Sequence, residues 1–291
     1  GAAVTQSVTI EKGSGPLAIG QKLQDAGIIR SAQVFRFYVR GKDGAADTLQ
    51  YGTFELSSDM SYDEIIAALQ VATDDRETVR VTFPEGKTVI QYAQIMEQAG
   101  LCSAQEFLDV ANNGDFSQFG FWAKREEKPN QFMKAEGYLF PDTYEFYKGQ
   151  NPLYVINKML QGFDARVTDE MRQEIWDSGR SIHEIIIVAS MIEKETDGSD
   201  YGKIASVIYN RLNNVNASAG TNGYLQIDAT LAYLTGKVPT EADKSIDSPY
   251  NTYRYPGLPA GPISNPGLAS IRAAMNPDDT GYYYYALGTD G

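Results

Sequence analysis

The sequence predicts an α+β fold in two units, a small one over residues 1–77 and a larger mixed α/β one over residues 78–291. Three observations carry this. Short runs such as VTQSVTI, YGTFEL and TVRVTF alternate apolar and polar residues with the period of two of a half-buried strand. Other stretches repeat apolar residues at helical spacing behind a Ser or Thr that is followed three positions later by Glu or Gln, a pairing that satisfies two orphan N–H groups at a helix start. Finally, 291 residues that are 42% hydrophobic suffice to build a sizeable core in each unit.

In the first unit, VTQSVTI (4–10) is expected as a strand, KGSG as a turn, and LAIGQKLQDAGII (17–29) as a helix stopping near Gly27. SAQVFRFYVR (31–40) begins with Ser31 as cap, YGTFEL (51–56) alternates as a strand, and SYDEIIAALQ (61–70) opens on the Ser61/Glu64 capping pair. The order is βααβα. In the second unit, TVRVTF (78–83) is a strand and PEGK a turn, followed by helices that open on Thr88/Gln91 and Ser103/Glu106. FWAKREEKPNQFMK reads as a polar loop leading into EGYLFPDTYEFYKG (136–149), where Pro141 disfavours a continuous helix. LYVINKMLQGFDARV, DEMRQEIWDSG and YGKIASVIYNRL (201–212) are amphipathic helices, the last with Asn210 and Arg211 capping its end. SPYNTYRYPGLPAGPISNPG is a long ordered loop, SIRAAMNP a short helix, and the final GYYYYALGTDG a strand running into a turn.

Composition excludes several function classes. A net charge of −13 argues against a nucleic-acid partner, which needs a basic stripe. The single cysteine, Cys102, rules out an internal disulfide framework and a Cys-rich metal site. The single histidine, His183, rules out a histidine-cluster metal site and leaves little room for Ser-His-Asp chemistry. No metal and no cofactor are expected. The 19 tyrosines suit either sugar-binding clefts, where a flat apolar ring carries a hydrogen-bonding tip, or half-buried strands. No stretch reaches the ~18–20 apolar residues that span a bilayer.

The stretch SIHEIIIVASMIEKETDG (181–198) holds the strongest chemical signal. Ser181 with Glu184 caps a helix that starts at Ile182, and Gly198 is a natural stop. On a helical wheel Glu193 falls among Ile182, Ile186 and Ala189, within the apolar face. His183, Ser190 and Lys194 form a polar strip, and Glu195 falls near Glu184 as the more solvated acid. A carboxyl losing hydration keeps its proton to higher pH and can act as a general acid. The plainer alternative is that Glu193 reaches water at the helix end and pairs with a base such as Arg211. Downstream, GYLQIDATLAYLTG sets Gln226, Asp228 and Thr230 apart by apolar residues.

The blocks EGYLFPDTY, VASMIEKET, VIYNRL, LQIDAT, YNTYRYPGLPAGPISNPG and SIRAAMNP, in this order, closely resemble the YceG-like family of endolytic murein transglycosylases. The resemblance covers most of residues 80–287, and the first 80 residues are similar to the LysM-like subdomain of that family. It implies cleavage of the β-1,4 bond between N-acetylmuramic acid and N-acetylglucosamine within peptidoglycan glycan strands, leaving a 1,6-anhydro-muramyl end. It implies Glu193 as catalytic acid. By analogy with other lytic transglycosylases, Gln226, Tyr250 and Asn251 would position the glycan, Tyr253 would offer a stacking face, and Asp228 is the candidate second carboxylate. Asn210, Arg211, Glu136, Tyr138, Asp142 and Tyr144 would support the cleft.

The resemblance further implies a single-pass N-terminal membrane anchor ahead of Gly1, action outside the cytoplasmic membrane, and partnership with penicillin-binding proteins and the elongation machinery. Two alternatives stand beside it. One is a non-catalytic peptidoglycan-binding scaffold. The other is a muramidase in which Asp228 activates water, since a glycoside hydrolase needs two carboxylates where a lytic transglycosylase can work with one.

Overall fold

The computed structural model describes residues 3–11, 13–71, 78–125, 128, 130–148, 152–196, 198–215 and 220–285. In the first unit, β1 (Thr5–Ile10) leads to α1 (Pro16–Asp25), α2 (Ala32–Arg40), the single turn α3 (Ala45–Thr48), β2 (Gly52–Ser57) and α4 (Tyr62–Leu69). β1 and β2 pair antiparallel with Val8 opposite Phe54, so both point into one core. That core gathers Ile19, Leu23, Phe35, Val39, Leu56, Ile65 and Leu69. Ser31 accepts from the Val34 N–H, and Ser61 and Glu64 cap α4 reciprocally, as the sequence predicts. The extra turn α3 is new relative to the βααβα expectation. It starts at Gly44, whose φ of 72° lets the chain reverse before residues 45–48 close.

The larger unit runs β3 (Thr78–Thr82), α5 (Val89–Gln98), α6 (Ala104–Asn113), α7 (Gly120–Lys124), β4 (Thr143–Tyr147), α8 (Pro152–Arg166), α9 (Asp169–Asp177), α10 (Ile182–Glu195), α11 (Tyr201–Asn213), α12 (Asp228–Thr235) and α13 (Leu268–Met275). All three capping pairs expected here form, at Thr88/Gln91, Ser103/Glu106 and Ser181/Glu184. β4 goes beyond the sequence expectation. Its TYEFY alternates, with Tyr144 and Phe146 inward, and it pairs antiparallel with β3 with Val81 opposite Tyr144. The expected C-terminal strand does not form over Gly281–Tyr285, and the rest of that stretch lies outside the described residues. Asn210 donates to the Thr280 and Tyr282 carbonyls and Arg211 to those of Tyr224 and Tyr283. Both therefore tie down this terminal segment instead of capping their own helix.

α10 is the axis of the larger unit. His183 and every residue from Ile185 to Ile192 are buried, so the helix is enclosed all round and not one-sided. The expected polar strip is accordingly corrected. Ser190 is fully buried and clamps the long loop: its Oγ accepts from the Ile263 N–H at 3.0 Å, and its carbonyl accepts from Ser264 Oγ at 3.0 Å. Residues 259–267 are buried along α10 in consequence. His183 is buried with Nδ1 2.7 Å from the Tyr138 hydroxyl. The site is thus mounted on the C-terminal end of a helix that the rest of the core encloses.

Candidate active site

Glu193 emerges from α10 half-buried, at the place where three segments converge. Its Oε2 accepts from the Gly267 N–H at 3.0 Å and from Ser270 Oγ at 2.5 Å. Gly267 caps α13 without a side chain, and the Glu193 carboxylate, from another element, takes the cap residue's own N–H and sits at the helix N-terminus, where a negative charge is favoured. Tyr201, at the start of α11, stands beside Ser270 and Glu193, and burial, with the Glu193 charge behind it, pushes its phenol up. On the remaining side stands the turn of residues 84–87. A Cβ on Gly86 would lie 3.3 Å from Glu193 Cγ, so the backbone passes close to this side chain where only glycine fits comfortably. The alternative of a Glu193–Arg211 pair does not occur: Arg211 donates to the Tyr224 and Tyr283 carbonyls and to Gln226 Oε1.

Glu195 faces a different set of neighbours. It is not the more solvated acid that the wheel suggests. Burial pushes its carboxyl up, the Tyr285 hydroxyl donates to Oε2 at 2.8 Å and the Ala229 N–H likewise pulls the other way, and the Asp228 charge adds to the rise. The helix packs on α12 and the terminal segment there, contacts that a wheel of α10 alone does not contain.

The remaining predicted residues divide between surface and core. Asp228 and Gln226 are exposed, and Tyr253 is half-buried with its hydroxyl 2.6 Å from Asp228 Oδ1. Gln226 Oε1 accepts from Arg211 at 2.7 Å. Its backbone sits at φ 55°, a conformation uncommon for a residue with a side chain and held here by its N–H to the Thr252 carbonyl. These three therefore gather on the Glu195 side of the helix end. Tyr250 and Asn251 do not face the cleft. Tyr250 is fully buried, stacked on Phe132 at 4.6 Å. Asn251 is buried with its amide donating to the Lys244 and Ile246 carbonyls and accepting from the Tyr253 N–H. Both brace the long loop.

The EGYLFPDTY block lies behind the site. Glu136 is fully buried, accepts from the Val89 N–H, Tyr233 hydroxyl and Asn265 amide, and burial pushes it up to about 8 against those donors. Asn265 also receives the Gly137 and Leu139 N–H groups and thereby joins this block to the long loop. Asp142 pairs with Arg166, and Tyr144 donates to the Phe140 carbonyl.

Glu85 is the site residue that sequence reasoning missed. PEGK reads as a plain turn, yet the Glu85 carboxylate lies against Gly267, beside Glu193. Its only sequence signal is an acid set between Pro84 and Gly86 directly after a strand. Among the described residues no cluster of His, Cys, Asp and Glu is arranged to hold a metal ion. No described helix is long and apolar enough to cross a membrane.

Comparison with known proteins places these features in a group. The model of the YceG-like family matches residues 8–291. A Bacillus subtilis protein named endolytic murein transglycosylase is 32% identical, over 99% of this chain and 80% of its own length. A Streptococcus pneumoniae protein of the same name is 29% identical over 98% of this chain, which spans about half, 55%, of that relative. The crystal structure of a YceG-like protein from Listeria monocytogenes superimposes with a TM-score of 0.64 at 31% identity, covering 98% of this chain and 94% of that one.

Proposed function

From the premise that the chain belongs to the YceG-like family, we propose that it is an endolytic murein transglycosylase cutting within peptidoglycan glycan strands, with Glu193 as its acid and then its base. The observation that carries the assignment of Glu193 is its mounting. The carboxylate stands at the end of a fully enclosed helix, and one oxygen is fixed by the Gly267 N–H and Ser270 Oγ. Such fixation pre-orients a reacting group, which accounts for much of what an enzyme gains over solution.

Glu193 gives its proton to the glycosidic oxygen as the bond to C1 of the muramyl residue breaks through an oxocarbenium-like state. The substrate's own N-acetyl group traps the cation. The Glu193 carboxylate then takes the proton of the C6 hydroxyl as O6 closes onto C1, giving the 1,6-anhydro end. Proton count is unchanged over the cycle, so neither water nor a second acid is consumed. Gln226, Asp228 and Tyr253 form a polar shelf with one aromatic face on the Glu195 side, suited to hold a sugar that extends from the reacting centre. A membrane anchor ahead of this segment and association with penicillin-binding proteins and the elongation machinery belong to the same reading.

The test is mass spectrometry of glycan strands digested with the chain and with Glu193→Gln. Anhydro-muramyl ends are expected from the native chain, with a loss of at least about 10²-fold in the variant and an unchanged melting temperature. Reducing ends would instead establish hydrolysis. Strand binding without any product would establish a scaffold.

A further inference from the structure

Two carboxylates meet at one glycine. Gly267 donates its N–H to Glu193 Oε2 at 3.0 Å. A Cβ built on the same residue would lie 2.0 Å from Glu85 Oε1 and 2.2 Å from its carboxyl carbon. Any side chain at 267 would evict Glu85. Gly86 gives the reciprocal clearance, its absent Cβ being 3.3 Å from Glu193 Cγ. Each glutamate is thus accommodated by a glycine next to the other.

Glu85 is an exposed side chain, yet its carboxylate lies against Gly267, on the side of a like charge. Here the turn that carries it is held along its length. The Tyr92 hydroxyl donates to the Pro84 carbonyl at 2.9 Å, and Lys194 Nζ to that of Gly86 at 3.3 Å. The Gly86 N–H bonds the Asn265 carbonyl, and the Asn265 N–H the Lys87 carbonyl, both at 2.9 Å. Among the described residues neither Glu85 nor Glu193 has a salt-bridge partner. The groups around them are Tyr92 from α5, Tyr201 from α11, Lys194 at the end of α10 and Lys87 in the turn, with Glu136 deeper behind Tyr92. Burial, and after it the charge of Glu193, push the Glu85 carboxyl up.

We infer that Glu85 is the second carboxylate of this site, a positioning residue whose like charge, set beside Gly267, favours the protonated form of Glu193 during turnover. The inference rests on the proposed transglycosylase reading. Two carboxylates in one place bind a first proton more readily than either would alone. That proton goes to the leaving oxygen and is replaced by the one from the C6 hydroxyl, so the pair ends each cycle with the proton it began with. The role falls to Glu85 and not to Asp228, whose carboxylate is engaged by Tyr253 beside Glu195.

The experiment is the pH–rate profile of anhydro-end formation for the native chain, Glu85→Gln and Glu85→Asp. Loss of the acid's proton sets the descending limb. Removing the neighbouring charge lowers proton affinity, so the limb should move down by about one pH unit in Glu85→Gln. Glu85→Asp, which keeps the charge, should stay close to the native profile. A limb in Glu85→Gln that coincides with the native one overturns the inference. A readout independent of turnover is ¹³C-carboxyl NMR of glutamate-labelled chain. Two coupled titration steps are expected in the native protein and a single step at Glu193 in Glu85→Gln. Uncoupled titration in the native chain overturns the pair even if no product forms, whereas coupled titration without product overturns only the transglycosylase reading.

Discussion

His183 illustrates how far one buried group can couple the molecule to pH. It is about 1% exposed, and its Nε2 has no hydrogen-bond partner among the described residues. Burial, reinforced by the charges of Arg125 and Lys128, lowers it to about 4 from an ordinary 6.5. The folded state therefore keeps the ring neutral while the unfolded chain takes up a proton below about pH 6.5. Unfolding then gains protons, and the stability present above pH 6.5 is lost as pH falls toward 4, by about 3 kcal/mol in total. Denaturant titrations between pH 7 and 4 should show this decline, and in His183→Gln the part of the slope between pH 6.5 and 4 should flatten. An identical slope in both chains would place the acid sensitivity elsewhere. The readout is the slope, because losing the Tyr138 partner lowers the level at every pH.

Between elements, the decisive contact is the one that presses residues 259–267 onto α10. Ser190 Oγ accepts from the Ile263 N–H and donates to the Ile187 carbonyl, in a place fully closed to water. Ser190→Ala leaves a buried N–H without a partner, so a loss of about 1–3 kcal/mol is expected by denaturant titration. The same loop leads into Gly267 and Ser270, the two donors on Glu193. Turnover should therefore fall more than KM changes, and loss of stability with an unaltered kcat would show that the loop's fit does not reach the carboxylate. Elements like α10 are legible in the sequence because their signals are local: a Ser181/Glu184 cap and an apolar run. Its environment is not. Whether His183 and Ser190 face water depends on α9, α11, α13 and the loop closing around the helix, and no wheel contains those. β4 escapes for a related reason, since its alternation only becomes a strand when β3, 61 residues earlier at Thr82–Thr143, supplies the partner.

At the scale of the whole molecule, the site is a long-range assembly. Glu85, Glu193, Tyr201, Gly267 and Ser270 come from four separated segments, which is why Glu193 can be singled out by its helix while Glu85 looks like part of an ordinary turn. All four segments lie in the larger unit. Its hydrophobic cluster, from Val81 to Met275, shares no residue with the cluster from Val8 to Leu69 in the first unit. Where the units meet, Thr5, Ser7 and Glu55 face Tyr154, Asn157, Lys158 and Gln161 across a small polar cavity. A polar contact of this kind holds two units in position without fusing their cores. A chain starting at residue 78 should consequently unfold in one cooperative transition, with a melting temperature within a few degrees of that of the larger unit in the full chain, and should still form anhydro ends on short glycan strands. What it should lose, if the first unit docks the enzyme on its polymeric substrate, is retention on intact sacculi in a pull-down, because a second attachment point multiplies avidity without altering the reacting centre. Equal retention of both chains would leave the first unit only a positioning role. Collapse of the shorter chain into an unfolded state would refute the independence of the two cores.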